Sequence, residues 1–209
     1  PLRPAAAIRQ AIGDEAYLLS CGTPYESVTG IADSVRISGD IHIYWSHVVE
    51  NASAFAMRWW MQGTIWNCDP DFLVVRGPDT ASPPFGKHVP VRPAGPEGGW
   101  MAGRVFNESE ARAYALLVHL SGGEVYLGAR LRALNDAGRR MIERVLEPRE
   151  RAAVPVDLFT SEQELPRIWM SRGSRDVLVG LFNWLDVPAR LEFDPAAHRL
   201  RGTPRDFWS

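Results

Sequence analysis

The chain has 209 residues, 45% of them hydrophobic and 23% charged, which suits one large globular domain or two small ones. Its net charge of -2 and the lack of any basic run argue against a nucleic-acid partner. No apolar stretch approaches the roughly 20 residues that cross a bilayer, so no membrane partner is expected. Residues 5–12 read as the end of a helix stopped by Gly13. Tyr17 to Ser20 reads as a short strand ending at Cys21-Gly22-Thr23-Pro24, and Ser34 to Ile37 as a second ending at Ser38-Gly39-Asp40. From His47 to Gln62 the apolar residues Val48, Val49, Ala52, Phe55, Ala56 and Trp59 recur at helical spacing. Trp66-Asn67-Cys68-Asp69-Pro70-Asp71 then leads into the apolar run Phe72 to Val75.

A loop is expected from Gly77 to about Val105, carrying Pro78, Pro83, Pro84, Pro90, Pro93 and Pro96. A connection of that length is usually functional or mobile. Asn107 reads as an N-cap with Glu110 as its capping-box partner, opening a helix from Glu108 to Leu120 that Gly122-Gly123 breaks. A strand from Glu124 to Gly128 follows, then a helix from Asn135 or Asp136 to Leu146. After Pro148 only short strands are expected: 156–159, 167–170, 176–184 and 189–193, separated by Gly and Pro turns as in a β-sandwich. Strand–helix alternation in the first part favours a parallel sheet or a (β/α) barrel. The expected division is therefore residues 1–150 and 151–209.

In a (β/α) barrel the active site is built at the C-terminal ends of the strands. Cys21, Arg36 to Asp40, Asp69 and Asp71, and Ser121 to Gly123 all fall there. A glycosidase needs an acid to protonate the leaving oxygen, and a retaining one needs a second carboxylate about 5–5.5 Å away. Asp40 could be that acid. On spacing alone, a helix cap or a surface salt bridge is the simpler reading. Arg36 could fork onto sugar hydroxyls or hold a carboxylate. A close arginine favours the charged carboxylate, so Arg36 is expected to face substrate rather than Asp40. Asp69 and Asp71 flank a proline and read as turn or pocket-wall elements. His42, His47, His88, His119 and His198 form no ligand pair at helix spacing, so no metal is expected. Cys21 reads as a buried strand-end cysteine, and two cysteines leave the redox compartment open. Of the eight tryptophans, Trp45, Trp66 or Trp100 could stack on a sugar. The sequons at Asn51 and Asn107 fall on expected helices and read as chance.

Tyr17 to Pro24, an apolar run closing on Cys21 with Pro24 nearby, resembles the fifth barrel strand of the melibiase-type α-galactosidases, glycoside hydrolase families 27 and 36. Asp33 to Asp40 resembles their sixth strand, where a sugar-binding Arg precedes the acid/base Asp by four residues, as Arg36 precedes Asp40. Trp66 to Leu73 is similar to the seventh-strand Trp-Asn-Asp-Pro-Asp block, with Cys68 as an insertion. Ser121 to Leu127 is similar to the eighth strand, and Leu181-Phe182-Asn183-Trp184 to a strand of the C-terminal sandwich. The resemblance spans nearly the whole chain. It implies an α/β fold: the C-terminal half of a (β/α)8 TIM barrel, strands five to eight, followed by an incomplete antiparallel β-sandwich. It also implies a retaining double displacement on terminal α-linked galactose or a related α-glycoside, with no metal or organic cofactor. Asp40 would be the acid/base, and Arg36, Cys21, Gly22, Asp69 and Asp71 would bind substrate. Gly22 stands where some members carry a sugar-binding Glu, which leaves the sugar open, α-N-acetylgalactosamine included. The family nucleophile ends strand four, and the chain begins before strand five. It is therefore expected to be a fragment without the nucleophile, inactive alone and self-associating through the incomplete barrel. A non-catalytic carbohydrate-binding or interaction module of the same fold is the alternative.

Overall fold

The computed structural model describes residues 4–82, 100 and 103–209. Pro83, Pro84, His88, Pro90, Pro93 and Pro96 of the expected loop lie outside the described residues. In chain order the elements are α1 (Pro4–Ile12), β1 (Leu19–Ser20), α2 (Tyr25–Val28), β2 (Ser34–Arg36), α3 (Trp45–Arg58), β3 (Asn67–Asp69), β4 (Phe72–Leu73), α4 (Glu108–Ser121), β5 (Tyr126–Leu127), α5 (Asp136–Val145), β6 (Val154–Pro155), β7 (Ile168–Arg172) and β8 (Val177–Leu181).

The strands up to β5 are parallel. They form an open β1-β2-β3 sheet and a separate β4-β5 pair. The register sets Arg36 directly beside Asp69 and Val35 beside Cys68. Val35 and Cys68 are buried against the helix layer, so the opposite face carries Arg36 and Asp69. Between β3 and β4 the backbone turns at Asp71, whose φ of 72° is the left-handed region that side chains other than Gly rarely adopt. That turn divides the two sheets, although Glu124 N still donates to Cys68 O across 2.9 Å. The described sheets are small and do not close on themselves.

The helices form where local chemistry directs them. Asn107 accepts from Glu110 N at 3.0 Å while Glu110 Oε2 accepts from Asn107 N at 2.9 Å, a complete capping box. Gly122 ends α4 with φ 74°. Asn135 caps α5 by accepting from Gly138 N at 3.1 Å. Helix α3 runs from 45 to 58, shorter than the expected 47–62, and a 3-10 turn takes Trp59 to Met61. Its Val48, Ala52, Phe55 and Ala56 are buried. The expected loop begins as a docked turn: Thr80 is fully buried, donates to Val75 O, and its backbone carbonyl accepts from Asn135 N at 3.0 Å.

The last three strands form one antiparallel sheet, β6-β7-β8. Residues 156–159 and 189–193, expected as strands, are irregular or turn. Asp157 accepts from the amides of Arg167 and Ile168, both at 2.9 Å, so its carboxylate occupies donors that a strand partner would use. Among the described residues no second sheet packs over this one to make a sandwich. Sheet type changes after β5, yet the core continues across the change. Trp169, Phe182 and Trp184 share one buried cluster with Trp45 and Leu120, and Trp45 stacks on Trp184 with centroids 6.2 Å apart.

Candidate functional site

Arg36 is the centre of the acidic constellation. Its Nε donates to Asp69 Oδ2 at 2.8 Å, its Nη2 lies 2.9 Å from Asp71 Oδ1, and its Nη1 donates to Asp40 Oδ1 at 3.2 Å. The guanidinium therefore faces three carboxylates, including Asp40, which the sequence reading had placed away from it. The cause lies in the loop after β2. Asp71 Oδ2 accepts from Ile41 N at 2.6 Å, which draws the loop onto the β3–β4 turn and sets Asp40 over Arg36.

The three acids differ in access. The side chains of Asp69 and Asp71 are 1% and 3% exposed, and that of Asp40 is 74% exposed. Asp69 Oδ1 accepts from Asp71 N at 2.8 Å, so the buried pair also braces its own turn. Burial pushes the Asp71 carboxyl above the ordinary carboxylate range. Backbone donors at Ile41 and Phe72 and the Arg36 charge oppose this, and the Asp40 charge adds to it. Burial acts to lower the Arg36 pKa, but the bond and charge of Asp69 and the charge of Asp71 outweigh it and raise the pKa.

Two residues that the sequence reading did not assign to the site support the turn. Asn51 of α3 donates to Pro70 O at 3.3 Å, and Tyr114 of α4 lies 3.4 Å from the same oxygen while donating to Phe72 O at 3.0 Å. Both are buried. A polar residue on the core face of each helix was the available signal.

The other expected site residues separate. Cys21, one step past the paired Ser20 and Val35, comes level with Arg36. It is exposed rather than buried, just past the end of β1 at the edge of the described β1-β2-β3 sheet. Cys68 is the buried cysteine, and desolvation pushes its thiol up to about 12. Gly22 turns with φ 67° and lines an open groove of about 530 Å³ that also takes in Arg36 but not Asp40, Asp69 or Asp71. Trp45 and Trp66 are buried, Trp66 packing on Tyr25 at 5.4 Å, so neither presents a stacking face. Trp100 is 57% exposed and stacks on His47 at 5.5 Å. His42 N donates to His47 Nδ1 at 3.1 Å, a local polar contact. Among the described residues no group of three or more His, Cys, Asp or Glu is placed to hold a metal, and no helix is long and apolar enough to cross a membrane. The chain matches no protein-family model.

Proposed function

We propose that the chain contributes the acid/base half of a retaining glycosidase site acting on a terminal α-linked galactose or a related α-glycoside. The observation that carries this reading is the contrast among the three acids. Asp40 is an exposed carboxylate on the loop after a parallel strand, held by an arginine whose other donors are fixed on two buried carboxylates. Such a group can leave Arg36, take up a proton from solvent, turn to substrate and protonate the leaving oxygen, then as a carboxylate accept a proton from the water that releases the glycosyl-enzyme. Arg36 and the buried acids hold it in place, and Cys21 and Gly22 border the same strand ends. In a protein that joins this chain to the strand-four nucleophile, Asp40→Asn should slow hydrolysis of an aryl α-galactoside by about 10²–10⁴-fold. A parent-like rate in that variant sinks the assignment.

One observation favours a second reading, a carbohydrate-binding or interaction module without catalysis. Asp69 and Asp71 are both committed to Arg36, so neither is free to act as the nucleophile. Binding of galactose without turnover, even when the chain is joined to a strand-four carboxylate, would select it.

A further inference from the structure

The loops after β4 and β5 carry two arginines at the carboxyl ends of neighbouring parallel strands. Leu73 pairs with Leu127, and Arg76 and Arg130 each stand three residues further on. In open α/β sheets ligands bind outside these ends. The two loops are laced together. Ser82 N donates to Ala133 O at 2.6 Å, Asn135 N to Thr80 O at 3.0 Å, and Asn135 Nδ2 to Asp79 O at 2.7 Å. Each arginine is also braced at its own backbone. Gly77 N, next to Arg76, donates to Thr80 Oγ1 at 2.7 Å, and Arg130 O accepts from Ala133 N at 2.8 Å.

Neither cation has a counter-charge. Arg76 is half-buried and Arg130 is exposed. Among the described residues neither side chain makes a hydrogen bond, an ion pair or a ring contact. Burial, and then the charge of Arg130, pushes Arg76 below the ordinary arginine pKa. The acid closest to Arg76 in sequence, Asp79, is engaged elsewhere, its Oδ2 accepting from Glu108 N at 3.1 Å. Burial, the His47 charge and the Arg76 charge also push His42 below its ordinary value. A cation drawn out of water is normally paired. Arg36, at the end of β2, has three carboxylates for this purpose. Arg76 has a second cation and a histidine instead.

We infer that Arg76 and Arg130 hold an oxyanion, the phosphate or carboxylate group of a bound ligand. A guanidinium presents parallel N–H donors that match the paired oxygens of either group. The anion ends the repulsion between the two arginines and replaces the water that burial takes from Arg76. The site stands without the glycosidase reading; where both hold, the substrate carries an acidic group.

Sulfate stands in for the phosphate and acetate for the carboxylate. Each is titrated into the chain at constant ionic strength while arginine Nε–H and backbone amide signals are followed by NMR. Saturable shifts are expected at Arg76, Gly77 and Arg130, and the anion that binds more tightly names the group. Arg76→Gln and Arg130→Gln should each weaken binding about tenfold, and Arg140→Gln, an exposed arginine of α5, should leave it unchanged. Sulfate should also raise the pKa of His42, whose charged form Arg76 opposes in the free protein. With no oxyanion in the buffer, Arg76→Met should melt about 2–4 °C above the parent, because it removes an unpaired, half-buried charge. No saturation with either anion, an Arg140→Gln loss as large as that of Arg76→Gln, a His42 pKa that does not rise, or a lower melting temperature in Arg76→Met each overturns the site.

Discussion

At the scale of single residues, the chemistry turns on how many acids Arg36 must serve. Removing it leaves Asp69 and Asp71 as adjacent buried carboxylates with no counter-charge. Arg36→Met should therefore destabilise the fold by about 3–5 kcal/mol. The loss should depend on pH. Asp71 already sits above its ordinary value in the folded state, and without Arg36 it moves further up. A carboxyl raised on folding binds its proton more tightly when folded, so stability is lost as pH rises from the ordinary value through the raised one. Urea denaturation of the variant should show its deficit growing from pH 4 to pH 7; an equal deficit at both would mean that the buried charges are not its source. The four-residue spacing of Arg36 and Asp40 was legible in the chain. The grip of Asp71 on the Ile41 amide was not, because it joins residues 30 apart in sequence. Without it, nothing indicated that the loop folds back and turns Asp40 onto the arginine. Cys21 was misplaced for a related reason: burial at a strand end depends on what packs over it in three dimensions, which periodicity cannot supply.

At the scale of elements, the parts decided by local rules were read well. The capping box of Asn107 and Glu110 lies within four residues, and the α3 stripe repeats at helical spacing. Short strands were harder. A run such as 156–159 can alternate suitably and still be diverted when one side chain, Asp157, takes the donors. The parallel sheet has a comparable dependence at Gly123, where an added Cβ would overlap the Cys68 carbonyl oxygen. That carbonyl accepts from Glu124 N, the bond that ties the start of the β5 segment to β3. Gly123→Ala should cost about 2–3 kcal/mol through forced separation of these segments. Thermal melting would show it, and an unchanged midpoint would mean that the backbone there shifts freely.

At the scale of the whole molecule, the barrel half and the sandwich were expectations of resemblance, and the described sheets are open. Among the described residues β1 has β2 as its only strand partner, and β5 has only β4. Tyr17 at 55%, Phe72 at 48% and Leu127 at 38% exposure lie at or near these strands. Open edges of this kind favour pairing with another chain. Sedimentation velocity should show the mass average rising with concentration, and a single monomer boundary throughout would count against it. What no sequence pattern conveyed was the continuity of the core. The stacking of Trp45 on Trp184 joins residues far apart in the chain, and only packing in three dimensions reveals it.

The Pro70 carbonyl has a consequence for how the acids are mounted. One backbone oxygen is approached by α3 through Asn51 and by α4 through Tyr114. The turn that carries Asp69 and Asp71 is thus clamped between two long helices. The strands on either side of it are only three and two residues long. The precision of the constellation is inherited from helix packing rather than from the sheet whose edge it decorates.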